Sequence, residues 1–320
     1  MNIPTIAELK LFFESFKSRA CDGIPASMKI DSGRPGQVLG ITACTHGNEP
    51  SGIAVIKYLL EDMHIESSLL RGTLYLGINN VRAVEKYFSS SSVEERRRAR
   101  FIDLNMNRLP DDLLERQDDT RYEIQRAKEL YPLWKRFTVG FDIHSTYQDS
   151  PPMIISGGGN LPKELVTGFP ISLVLSNIDI VQIGLPVFGF FGGQGSNIPV
   201  FEIEAGSHEK QDSFALAITC ATTLLQNLGM YQRQPTKYVS KHDEYYIADS
   251  VVFPNESYEL VRIFRDFEFI KDGTLIARGD KGDITAPFDC HTIFCKTSLK
   301  PDSIAEEVIF LSKPVRQLSD

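Results

Sequence analysis

Short apolar runs followed by stretches with helical spacing recur from Gln37 onward, and this alternation leaves few folds open. Gln37 to Thr45 (QVLGITACT) reads as a buried strand. Ser51 to Met63 then sets Ile53, Ile56, Leu59 and Leu60 at helical spacing behind Pro50, a residue suited to a helix start. Gly72 to Ile78, Phe137 to Ile143 and Ile198 to Ile203 repeat the strand pattern, and Tyr122 to Phe137 and Ser213 to Leu228 repeat the helical one. Strands that alternate with helices predict an α/β domain, a sheet with helices on its faces. Around Gln232 to Asp243 (QRQPTKYVSKHD) the texture becomes polar linker. Beyond it come β-rich runs such as Tyr258 to Ile270, closed by the Asp272-Gly273 turn signal. The chain therefore divides into an α/β domain over residues 1–232 and a smaller, mainly β domain over residues 233–320.

Composition narrows the partners. A net charge of −8 excludes a surface-wide attraction to nucleic acid or anionic lipid, so any arginine in a site acts locally. The five cysteines are scattered, without a C-x-x-C pair, and fit a reducing compartment. The first twenty residues read as an amphipathic helix rather than an address signal, which makes the cytoplasm the expected location. Phe169 to Gly193 is apolar but broken by Asn177, Asp179, Gln182, Pro170 and Pro186, so buried strands are expected there instead of a membrane span.

Three of the strands end in a residue that can ligate a metal or move a proton: His46, His144 and Glu204. In open α/β sheets the ligand site lies beyond the carboxyl ends of the strands, where residues distant in sequence meet. Glu49 follows His46 by three residues, within reach of the same ion. Two imidazoles and a carboxylate leave a tetrahedral zinc one open position, as catalytic zinc requires. HGNE alone is weak, since about one H-x-x-[DE] is expected by chance among six His.

The context is what carries weight. ACTHGNEPSGIAV resembles the metal-binding opening, G-x-x-H-G-x-E, of the succinylglutamate desuccinylase/aspartoacylase family, relatives of the zinc carboxypeptidases. NNVRAVEKY resembles that family's N-P-R-A-V segment, DLNMNR its D-x-N-R, YEIQRAKEL its Y-E-x-R-R-A helix, FDIHST its F-D-L-H-N-T and IEAG its I-E-x-G, all in the family's order. GDITAPFD is similar to the β-rich tail of such proteins. The resemblance implies a zinc-carboxypeptidase-like mixed sheet and one zinc per chain on His46, Glu49 and His144, with water bound to that zinc activated by Glu204. It further implies Arg82 as the oxyanion arginine and Asn107 with Arg108 as a clamp for a substrate carboxylate. Asp142, two residues before His144, would orient the imidazole. Glu202 shares a strand face with Glu204 and competes for the base assignment.

The expected activity is zinc-dependent cleavage of the amide of an N-acylated amino acid or similar small amide. A carboxypeptidase acting on short peptides or cell-wall fragments is the alternative, and a non-catalytic ligand-binding module the alternative of another class. Homo-oligomerisation is left open. Arg96, Arg97, Arg98 and Arg100 (EERRRAR) read as a solvated face, Cys44 as a buried strand cysteine, and His208 with Glu209 as loop positions without a duty. No Lys or Arg occurs from Glu164 to Glu209, and no Tyr follows Tyr258; Phe310 is the nearest counterpart of a pocket tyrosine. Losing one charged partner costs roughly 1.5–3 kcal/mol, so a monoanionic or neutral acyl group is expected rather than a dicarboxylate.

Overall fold

The computed structural model describes residues 3–146, 150–157, 161–232, 242–300, 306–313 and 316–317. Its principal helices are α1 (Ile6–Phe16), α2 (Ser51–Lys57), α3 (Val81–Ser89), α4 (Val93–Arg97), α5 (Tyr122–Trp134) and α6 (Gln211–Asn227). The strands that matter for the site are β1 (Ser27–Asp31), β2 (Val38–Ala43), β3 (Thr73–Ile78), β4 (Val139–Thr146) and β5 (Met153–Ser156), followed by β6 (Leu173–Ser176), β7 (Val200–Ser207) and β8 (Asp243–Val251). The chain forms two compact units. The first comprises Met1–Ser172 with Gly184–Lys241, and the second Leu173–Ile183 with His242–Asp320.

In the first unit the strand order is β5-β7-β4-β2-β3-β1. The central four strands run parallel, and β5 and β1 are antiparallel to their neighbours. All eight residues of β4 are buried, as a parallel strand covered on both faces demands. α1 is amphipathic: Thr5 and Glu8 form a capping box, Leu9, Phe13 and Phe16 are buried, and Leu11 faces solvent. After α2 the helix widens into a π-turn over Tyr58–Asp62.

In the second unit β6 pairs in parallel with β8, which runs antiparallel to Ile309–Ser312. Cys290–Ile293 and Glu268–Ile270 extend that ladder, and a small antiparallel sheet holds Glu259–Leu260, Leu275–Arg278 and Ile284–Thr285. Its core includes Phe253, Tyr258, Phe264 and Ile276. Phe310 is buried with its ring against Phe294.

The mixed α/β sheet and the β-rich C-terminal region agree with the sequence reading. Two details differ. Of the apolar stretch Phe169 to Gly193 only β6 is extended, and the remainder forms short helices and turns. Sequence texture also gives no hint that Leu173–Ile183 joins the C-terminal unit. Most of Gln232 to Asp243 lies outside the described residues. No helix among the described residues is long and apolar enough to cross a membrane.

Candidate functional site

His46 stands in the loop after β2, whereas His144 and Glu204 lie inside β4 and β7, opposite one another in register. The loop Thr45–Glu49 is wholly buried. Gly47 is required in it because an added Cβ would lie 2.2 Å from the backbone carbon of Ala83 at the start of α3. The Gly47 amide donates to the Arg100 carbonyl at 2.9 Å, which pins the segment after α4 over the loop.

The two imidazoles converge on one carboxylate. Glu49 Oε1 is 2.7 Å from His46 Nδ1 and Glu49 Oε2 is 2.8 Å from His144 Nδ1. The opposite nitrogens settle the tautomers. Asn105 Oδ1 accepts the backbone N–H of Asn107 at 2.9 Å, so it is the amide oxygen that meets His46 Nε2 at 2.8 Å. Asp142 Oδ2 meets His144 Nε2 at 2.8 Å, and the Asp142 carboxylate accepts Thr42 Oγ1 at 2.6 Å and Thr45 Oγ1 at 2.7 Å. Both Nε2 atoms therefore donate, and both Nδ1 atoms are left facing Glu49. His46, Glu49 and His144 form a buried group that could hold a metal ion; Asp142, His144 and Glu202 form a second.

Charge in this pocket is out of balance. Burial pushes Glu204 well above the usual carboxylate range, with Glu49 adding to the effect. Burial likewise raises Glu202 to about 7, against the opposing pull of His144. Burial would lower His144, but Glu202, Asp142 and Glu49 outweigh it and lift the ring well above its ordinary value. Four carboxyl groups thus share two imidazoles and one nearby guanidinium, and a divalent cation is what such a donor set fits. Glu202 Oε2 and Glu204 Oε2 are both buried without a hydrogen-bond partner. The two acids differ in position: Glu202 backs the Nε2 side of His144 at 3.3 Å and is bonded by Asn107, whereas Glu49 is the charge that acts most strongly on Glu204.

Arg82 is not part of this cluster. It is exposed, and its guanidinium lies over the Tyr122 ring, 4.8 Å from the centroid. Arg100, read from sequence as a solvated residue, instead brings Nη1 to 3.4 Å from Glu49 Oε1. Arg98 does face solvent beside Glu94. Asn107 is buried, with Oδ1 accepting the Val187 amide at 3.2 Å, and Arg108 Nη1 donates to the Asn107 carbonyl at 2.8 Å. Cys44 donates to the Glu49 carbonyl at 3.4 Å and burial keeps its thiol protonated. His208, assigned no duty from sequence, lies 2.9 Å from Ser145 Oγ through Nδ1.

Glu123, quoted from sequence only within the YEIQRAKEL motif, was given no role there. It is fully buried on α5 and accepts the amides of Ile102, Asp103 and Leu104 at 2.7 to 3.0 Å, together with Asn80 Nδ2 at 3.1 Å. One carboxylate thereby positions both the approach to Asn105–Arg108 and the N-cap of α3. Glu123→Ala would strand several buried donors and is expected to lower unfolding stability by about 3 kcal/mol, measurable by urea denaturation.

Residues 35–157 match the family model described as "Succinylglutamate desuccinylase/Aspartoacylase catalytic domain". Through this segment the chain is similar to the succinylglutamate desuccinylase/aspartoacylase family. The family is one of deacylases, hydrolases of amide bonds. Among solved structures, the succinylglutamate desuccinylase from Vibrio cholerae is similar with a TM-score of 0.69 at 14% identity, over 90% of this chain and 85% of that one. A succinylglutamate desuccinylase from Chromobacterium violaceum gives 0.67 at 18%, over 97% and 98% of the two chains. Murine aminoacylase 3 gives 0.58 at 18%, over 89% and 99%. At such identities these likenesses establish the shared fold. The matched segment contains His46, Glu49, Arg100 and His144 but ends before Glu204.

Proposed function

We propose that this protein is a zinc-dependent deacylase that hydrolyses the amide bond of a small N-acylated amino acid. The observation that carries this reading is the convergence of His46 Nδ1 and His144 Nδ1 on Glu49, with Glu204 alongside. His46, Glu49 and His144 would hold the ion. The alternative group is less suited, because His144 Nε2 is already committed to an aspartate that two threonine hydroxyls hold in place. Zinc at such a site acidifies water and polarises a carbonyl.

Glu204 takes the proton of the attacking water and returns it to the leaving amine nitrogen; a carboxyl lifted by burial is suited to both transfers. Arg100, in place of Arg82, faces the oxygen that gains negative charge as the carbonyl is attacked, an interaction strengthened where water is excluded. Asp142 and Asn105 fix the two rings so that Nδ1 points inward. Asn107 and Arg108 are the residues we assign to a substrate carboxylate.

The test is a panel of N-acetyl amino acids and dipeptides assayed with and without a chelator. Turnover of the acetyl compounds that chelation abolishes is expected, and preference for dipeptides would move the protein to the carboxypeptidase reading. On the best substrate, Arg100→Ala is expected to lower kcat/KM by about 100-fold and Arg82→Ala by less than about threefold. The reverse order would restore Arg82 to the oxyanion role.

A further inference from the structure

The hydrogen bonds behind His144 do not end at Asp142. Thr45 Oγ1, which donates to Asp142 Oδ2 at 2.7 Å, itself accepts Asn79 Nδ2 at 2.8 Å. Asn79 immediately follows β3 and is fully buried. Its backbone is clamped on both sides: the amide donates to the Ala43 carbonyl at 2.8 Å, and the carbonyl accepts Arg126 Nε at 3.0 Å. Arg126, buried on α5, also bonds the Pro25 and Ile78 carbonyls through Nη2, each at 2.9 Å. The end of β3 is thus fixed from the neighbouring strand and from a helix, and the Asn79 amide is held against the loop that carries His46.

The protons in this chain of contacts have one direction. The Asp142 carboxylate accepts from Thr42, from Thr45 and from the Ile143 amide, so the single hydroxyl proton of Thr45 is committed to Asp142. Asn79 can then meet Thr45 Oγ1 only as a donor, which sets Nδ2 toward the hydroxyl and Oδ1 away from it. That Oδ1 is buried without a hydrogen-bond partner. An orphaned buried acceptor lowers stability, and an apolar side chain of similar shape would avoid it. What the amide supplies in this unfavourable place is a donor aimed at Thr45.

We infer that Asn79 is a positioning residue of the metal centre: by donating to Thr45 it keeps that hydroxyl directed at Asp142, and so holds the His144 ring with Nδ1 toward Glu49. The inference rests on the deacylase reading, in which His46, Glu49 and His144 are the zinc ligands. The influence of Asn79 passes through Thr45, whose hydroxyl links its amide to the carboxylate behind His144. Residues that hold a ligand ring from behind set how tightly the ion is bound.

Zinc affinity of the full-length chain, measured by competition with a chromophoric chelator, tests this without any need for turnover. Asn79→Ala is expected to weaken zinc binding about tenfold. Thr45→Val, which keeps the shape and removes the hydroxyl, should weaken it at least about tenfold, whereas Thr45→Ser, which keeps the hydroxyl and loses the methyl, should stay within about threefold of wild type. Combining Asn79→Ala with Thr45→Val should bind within about twofold of Thr45→Val alone, because the amide then has no hydroxyl left to direct. A packing role for these residues would reverse the order, with Ser worse than Val, and would make the two losses multiply. Wild-type affinity in Asn79→Ala, wild-type affinity in Thr45→Val, or multiplying losses would each overturn the inference. Should Asn79→Ala fail to fold, the Ser and Val variants at position 45 decide the matter alone. A wild-type chain that takes up no zinc would refute the ligand assignment itself, an outcome distinct from zinc that binds wild type and Asn79→Ala equally well.

Discussion

Glu204→Gln is expected to lower kcat by about 1000-fold while bound metal and melting temperature stay close to wild type. The reasoning is positional. Glu204 stands in register with His144 on the neighbouring strand, the strongest charge on it is Glu49, and its Oε2 is buried without a partner. A glutamine fills the same space and removes only the capacity to accept and return a proton. Glu202→Gln serves as the control. Glu202 backs His144 from the Nε2 side, so its loss should act mainly on metal affinity. Steady-state kinetics with elemental analysis of both variants decides the matter, and near-normal turnover by Glu204→Gln would move the base elsewhere.

His144→Ala should weaken zinc binding by more than about 100-fold, beyond what the loss of a supporting hydrogen bond alone costs. It removes one inward-facing nitrogen and leaves Asp142, Glu49 and Glu202 without the ring that faces all three. Added zinc should raise the melting temperature of the wild type, because an ion that binds only the folded chain stabilises it by mass action. The variant should show no such rise. His46→Asn tests the other ring with less disturbance to the buried acids.

Strand and helix periodicity was sufficient to recover β2, β3, β4 and β7 and the α/β class, because buried parallel strands read as continuous apolar runs. The meeting of His46, Glu49 and His144 was likewise visible, since His46 and Glu49 are neighbours in sequence and His144 lies at the end of an apolar run. The place of Arg100 was not, and the cause is a tertiary contact: the Gly47 amide bonds the Arg100 carbonyl, and the Arg100 guanidinium reaches Glu49. Arg82 sits in a family-like segment, but Tyr122 holds its guanidinium outside the cluster. Asn105 and Glu123 act through bonds to residues 59 and about 20 positions away respectively, distances at which periodicity carries no signal. The stretch Phe169 to Gly193 misled because apolar content alone does not distinguish a strand from buried turns.

Zinc content by elemental analysis of the purified chain, set beside that of His46→Asn and His144→Ala, puts the whole site to one test. About one zinc per wild-type chain, lost from both variants, is the result predicted. A full complement of metal retained by either variant would contradict the ligand set from which every catalytic assignment here follows.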